Sequence, residues 1–101
     1  MKFNAPIILA FLSAAQATQV NWEICNGGVE KTNSDGCTNV SGAKEDNLCG
    51  IVIPPPGRDY CEFYTTSCGI PWGTTYRCSV SDGRCDAKPW KAIASYRCWD
   101  Q

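Results

Sequence analysis

Histidine is absent from the 101 residues. Without an imidazole the chain lacks the usual general base of serine and cysteine nucleophiles and the commonest protein ligand of zinc, so hydrolases of those types are excluded. Close cysteine pairs are absent as well: the tightest spacing is Cys-x6-Cys, whereas structural zinc sites use pairs such as Cys-x2-Cys. No metal and no cofactor are expected. No apolar run approaches the roughly 20 residues that cross a bilayer, and the C-terminus shows no lipid-anchor tail, so membrane insertion is not expected either. A basic excess is also missing. If a leader carrying Lys2 is removed, nine basic residues become eight against ten acidic ones, which disfavours nucleic acid and anionic membranes as partners. Asp59, Glu62, Asp82 or Asp86 could supply the two carboxylates of a glycosidase, but so short a chain offers little cleft to hold them around a sugar. They read as a solvated face, and the chain does not read as an enzyme.

What is present begins with Met1 to Ala17, which has a basic start at Lys2, the apolar run Ile7-Ile8-Leu9-Ala10-Phe11-Leu12 and the small-residue end Ala15-Gln16-Ala17. That order is the order of a secretory signal. Cleavage after Ala17 leaves residues 18–101 as a single secreted domain. A chain of that length buries too little apolar surface for comfortable stability. All eight cysteines, Cys25, Cys37, Cys49, Cys61, Cys68, Cys78, Cys85 and Cys98, lie beyond the leader. An even count in an exported small domain reads as a framework of four disulfides, whose pairing is one of 105 possibilities. Asn39-Val40-Ser41 is an N-glycosylation triplet in a polar stretch, usable once the chain is exported.

The mature chain divides into unlike halves. Residues 26–47 are rich in Gly, Asn, Ser, Thr and charge and read as loops and short strands. From Cys49 onward apolar and aromatic residues dominate. Gly50-Ile51-Val52-Ile53 is a strand candidate halted by Pro54-Pro55-Pro56-Gly57, since proline lacks a ladder donor. Tyr60–Tyr64 and Thr75–Val80 have strand composition, and Asp82-Gly83 signals a hairpin turn between Ser81 and Arg84. Alternation places Tyr76, Cys78 and Val80 on one face and Arg77 and Ser79 on the other. Residues 61–78 and 78–98 resemble one another, each running Cys-x6-Cys, then Pro-Trp, then Tyr-Arg-Cys. The extra residues of the second unit predict a helical turn or two, with Asp86 as its cap, Pro89 in its first turn and Trp90, Ile93 and Ala94 on one side. The fold expected is small, disulfide-rich and mainly β, with antiparallel strands and at most one short helix.

Aromatics are numerous. Tyr76 and Tyr96, each two residues before a cysteine, are expected to shield disulfides, whereas Trp72, flanked by Pro71 and Gly73, and Trp99, near the C-terminus, are candidates for an exposed contact surface. Arg58 ends the proline-stiffened segment between Cys49 and Cys61, which reads either as an ordinary strand connection or as a rigid inhibitor-like loop. Arg58, Trp72 and Trp99 are therefore the expected binding surface.

The leader, the short mature chain, the eight cysteines without an adjacent pair and the aromatic-x-Cys motifs near the C-terminus resemble the small cysteine-rich secreted proteins of filamentous fungi, especially candidate effectors of plant pathogens. The run Cys61-x6-Cys68-x9-Cys78-x6-Cys85-x12-Cys98, with Trp72 inside it, also looks like antifungal proteins of the bubble-protein kind, which are mostly cationic where this chain is slightly acidic. Hydrophobins need adjacent cysteines, and plant and insect defensins need Cys-x3-Cys and Cys-x-Cys pairs, none of which occur here. The resemblance implies a monomeric, non-enzymatic, extracellular protein that binds a host or other extracellular protein. An antifungal toxin and a module binding cell-wall glycan are the other expectations.

Overall fold

The computed structural model describes residues 17–101. The leader, apart from Ala17, lies outside the described residues.

Among the described residues, eight strands form two four-stranded antiparallel sheets: β1 (Thr18–Ile24), β2 (Val29–Ser34), β3 (Thr38–Asn39), β4 (Leu48–Val52), β5 (Tyr60–Tyr64), β6 (Thr75–Ser79), β7 (Arg84–Asp86) and β8 (Ser95–Trp99). The first sheet runs β2-β1-β4-β7 and the second β3-β8-β5-β6. One helical turn, α1 (Ala43–Asp46), precedes β4, and a 3₁₀ turn over Val80–Asp82 follows β6. The mainly β, four-disulfide fold read from the sequence is the fold of the chain.

Period-two burial explains how the sheets face each other. Along β1, Thr18, Val20 and Trp22 are buried and their neighbours are not. Along β5 it is Cys61 and Phe63, and along β8 it is Tyr96 and Cys98 together with Ser95. Trp22 of the first sheet meets Phe63 and Tyr96 of the second edge-on, at ring separations of 5.5 and 5.2 Å. This is the geometry that opposes the positive edge of one ring to the negative face of another, worth about 0.5–1.5 kcal/mol per pair beyond burial. The buried indole N–H of Trp22 donates to Thr32 Oγ1 at 2.8 Å, and that hydroxyl lies 2.7 Å from the Tyr96 hydroxyl. The polar ends of the two largest core side chains are thus satisfied inside the core.

The disulfides join Cys25–Cys49, Cys37–Cys68, Cys61–Cys98 and Cys78–Cys85, leaving no free thiol. Cys61–Cys98 links neighbouring strands of the second sheet, where the two residues already stand in register. Cys78–Cys85 crosses from β6 in the second sheet to β7 in the first.

Two local expectations are corrected. Asp82-Gly83 does not close a hairpin: β6 pairs with β5, and β7 pairs with β4. The 3₁₀ turn carries the chain from one sheet to the other, and Asp82 accepts bonds from the Ser79 backbone and hydroxyl at 2.9 Å to fix it. Residues 87–94 form no helix. Asp86 does accept a bond from the Lys88 N–H at 3.1 Å, but the segment makes one turn, Trp90 N–H to Ala87 carbonyl at 3.0 Å, before Ile93 drops into the core. The proline segment after β4 is one of the connections between the sheets, leading to β5. Its flanking cysteines are bonded to other partners, and Arg58 N–H donates to Thr18 Oγ1 at 2.8 Å.

Candidate functional site

Strand β5 is the middle of a three-strand pattern. Cys78 and Cys98 stand in register with Cys61, Arg77 and Arg97 with Glu62, and Tyr76 and Tyr96 with Phe63. The two Tyr-Arg-Cys units therefore flank β5 at the same height. Their Pro-Trp segments differ: Trp90 stacks on Tyr76 at 4.7 Å and an interplanar angle of 5°, whereas Trp72 is 72% exposed. The disulfides do not repeat either, since Cys61, Cys78 and Cys98 are divided between two bridges.

With cysteines and the Phe63, Tyr76 and Tyr96 rings turned inward, alternation sends the other residues outward. The outer face carries three rows: Trp99, Tyr60 and Ser79; then Arg97, Glu62 and Arg77; then Ser95, Tyr64 and Thr75. The Arg77 guanidinium lies 3.7 Å over the Tyr60 ring and that of Arg97 lies 4.5 Å over Trp99, cation–π placements that hold each arginine flat against the sheet. The Tyr64 hydroxyl donates to Glu62 at 3.1 Å. Burial first, and then the Glu62 carboxylate, push the Tyr64 phenol up, against the opposing pull of the Trp99 indole N–H and Arg97. That N–H is buried close to the phenol but outside hydrogen-bonding geometry, and it has no partner among the described residues.

The loop from β5 to β6 folds over one end of this face. It is pinned by Thr65 N–H to Thr74 carbonyl at 3.1 Å, by Thr74 N–H to Thr65 Oγ1 at 2.9 Å, by Cys68 N–H to Asn39 Oδ1 at 2.9 Å and by the Cys37–Cys68 disulfide. Gly73 adopts φ of +126°, and a Cβ there would come within 2.7 Å of Thr66 Cγ2; only glycine closes the loop this tightly. The result is a hollow of about 420 Å³ between loop and sheet, lined among others by Trp72, Trp99, Tyr64 and Arg97.

Comparison with known protein families, curated proteins and solved structures gives no match to this chain.

Trp72 and Trp99, the aromatic candidates from the sequence, line the same hollow. Arg58 does not join them: it lines a neighbouring hollow of about 370 Å³ with Trp99 and Asp100. Its guanidinium is 2.6 Å from the Asp100 carboxylate and its side chain is 41% exposed, so its charge is already answered. Asn39 is exposed, and with Oδ1 engaged by Cys68 its Nδ2, the atom that would carry a glycan, makes no hydrogen bond among the described residues. The four carboxylates are occupied locally: Asp59 by Gln101 N–H, Glu62 by Tyr64, Asp82 by Ser79 and Asp86 by Lys88. Cys78, Asp82 and Cys85 bring ligand-type atoms within 4.8 Å, but both sulfurs belong to one disulfide and offer no thiolate. Sequence reasoning missed Tyr64, Arg97 and Ile70, whose side chain is 43% exposed on the loop. Alternation outward from Cys98, as already applied around Cys78, was the signal for Arg97.

Proposed function

We propose that the chain is a secreted, non-enzymatic protein of the effector type, which binds an extracellular target at the hollow between the β5–β6 loop and the outer face of its second sheet. The observation that carries this is the gathering of Trp72, Trp99 and Tyr64 around one open hollow, the first on a loop tied down by a disulfide and a glycine at positive φ and the other two on strands β8 and β5. Tryptophan, tyrosine and arginine are the residue types that dominate binding energy, and a loop fixed beforehand loses little entropy when it binds. An indole as exposed as that of Trp72 contributes little to the core. Four disulfides fit an oxidising compartment, and no described helix is long and apolar enough to cross a membrane. Thr18, the residue that cleavage after Ala17 would leave first, is also the first residue of β1, so removal of the leader spares every strand. Asn39 is exposed for glycosylation in the secretory pathway.

Retention of components of host extracellular fluid on the immobilised protein tests the reading. The double variant Ile70→Ala, Trp72→Ala is expected to lose roughly tenfold in affinity without a change in melting temperature. Equal retention by both proteins would overturn the assignment of this face, and growth inhibition of other fungi by micromolar purified protein would favour the antifungal alternative instead.

A further inference from the structure

We infer that the hollow between the β5–β6 loop and the second sheet takes an acidic sugar chain, with a hexuronate ring against the aromatic side chains and its carboxylate on Arg97. The inference rests on the reading of this face as a binding surface and adds the class of ligand. Three features of the hollow select it. Its volume of about 420 Å³ falls within the roughly 300–1,000 Å³ of small-ligand sites. Its lining combines the rings of Trp72, Trp99 and Tyr64 with the hydroxyls of Thr66, Thr74 and Thr75. Such a wall suits a ring with a C–H face and a rim of hydroxyls, because an aromatic surface accepts the apolar face while short hydroxyls exchange hydrogen bonds with the rim.

The third feature is charge. The protein carries a net charge of −1, yet the lining of the hollow holds no carboxylate and a single ionised group, Arg97. Arg97 makes no ion pair within 4.0 Å among the described residues. Its cross-strand neighbour Glu62 accepts a bond from Tyr64, and the Arg97 guanidinium is held over Trp99. A planar fork with free donors beside aromatic walls is the arrangement that binds a carboxylate in two-point fashion. Arg97 and Trp99 also line the Arg58 hollow, but Asp35 and Asp100 line that side and Asp100 already pairs with Arg58, so a carboxylate ligand is directed to the hollow whose lining holds no acidic group.

The fold supplies its own control. Arg77 is the register equivalent of Arg97 on the other side of β5 and stacks on Tyr60 in the same way, but it does not line the hollow. Titration calorimetry with a defined oligogalacturonate, at low and raised salt, is the test. Binding is expected to weaken roughly tenfold, the equivalent of about 1.4 kcal/mol, in Trp72→Ala and in Arg97→Gln, to be unchanged in Arg77→Gln, and to fall as salt screens the carboxylate. A neutral cello-oligosaccharide is expected to bind at least tenfold more weakly. Absence of oligogalacturonate binding, equal binding of the neutral sugar, or an equal loss in Arg77→Gln overturns the inference. If the hexuronate fails while face-dependent retention of an extracellular protein persists, the sugar falls and the binding face stands; if both fail, so does the functional reading.

Discussion

Trp72 and Tyr96 are large aromatic residues of similar size with opposite surroundings. Tyr96 is fully buried, stacked on Phe63 and edge-on to Trp22, so Tyr96→Ala should cost about 3–5 kcal/mol, as truncation of a core aromatic does. Trp72→Ala should stay within about 0.5 kcal/mol, and thermal melts of the two variants measure the difference directly. Equal melting temperatures would mean that Trp72 belongs to the core. Tyr96 also sets an alkaline limit. Burial, only partly opposed by the Thr32 and Ser34 bonds, raises its phenol above the ordinary value of 10.0. The folded state therefore holds the proton more tightly than the unfolded chain does. Its stability is intact below pH 10 and is lost as pH rises through the folded value. Tyr96→Phe has no proton to lose, and denaturant titrations should show a shallower decline above pH 10 than in the wild type, with Tyr64 accounting for part of what remains.

At the scale of elements, strands β4, β5 and β6 were legible because β-branched and aromatic runs end at Pro54 and at the Gly73 turn, and their alternation separated the inward Cys78 from the outward Arg77. Strand β1 was not read at all. Its alternation of Val20 and Trp22 is brief and abuts the leader, and the central role of Trp22 emerges only when Phe63 and Tyr96 are brought against it from the other sheet. The hairpin expectation at Asp82-Gly83 failed for a related reason: a turn residue fixes local backbone geometry, while the choice of β4 as the partner of β7 is made by contacts more than 30 residues away. Disulfide pairing was unreadable because it follows register between sheets. Loop length now ranks the bridges. Cys61–Cys98 closes a separation of 37 residues and Cys78–Cys85 one of 7. By the chain-entropy relation, replacing the first pair with alanines should lower stability by about 1.5 kcal/mol more than replacing the second, as read from denaturant midpoints. Gly73→Ala, forced into a positive φ against Thr66, should cost about 1–3 kcal/mol and loosen the Trp72 loop, seen as faster amide exchange over residues 65–74.

Over the whole molecule, the two sheets divide the work. The first sheet supplies Val20, Trp22, Leu48 and Ile51 to the core, and Glu23 and Arg84 pair at 2.7 Å across its outer surface. That pair leaves no room for a side chain at Gly50, where an added Cβ would meet the Arg84 guanidinium and, at 2.7 Å, the Glu23 carboxylate. This closed surface contrasts with the outer face of the second sheet, where arginines lie on aromatic rings and a pinned loop holds a hollow open. The candidate surface was half legible in the sequence: Trp72 and Trp99 converge on the hollow, while Arg58 pairs with Asp100, a residue that follows Trp99 in the chain and is brought beside Arg58 where β8 pairs with β5 and the Asp59 N–H bonds the Trp99 carbonyl at 2.9 Å. Binding is proposed to be confined to the hollow and the face that bears it. Hydroxyl-radical footprinting of the protein, free and in the presence of extracellular fluid from the proposed host, tests it most directly because tryptophan and tyrosine report solvent access at their own positions. Protection of Trp72, Trp99 and Tyr64 with unchanged oxidation of Val29, which is 53% exposed on the edge strand β2, is the result expected; protection at Val29 with Trp72 still fully reactive would contradict it.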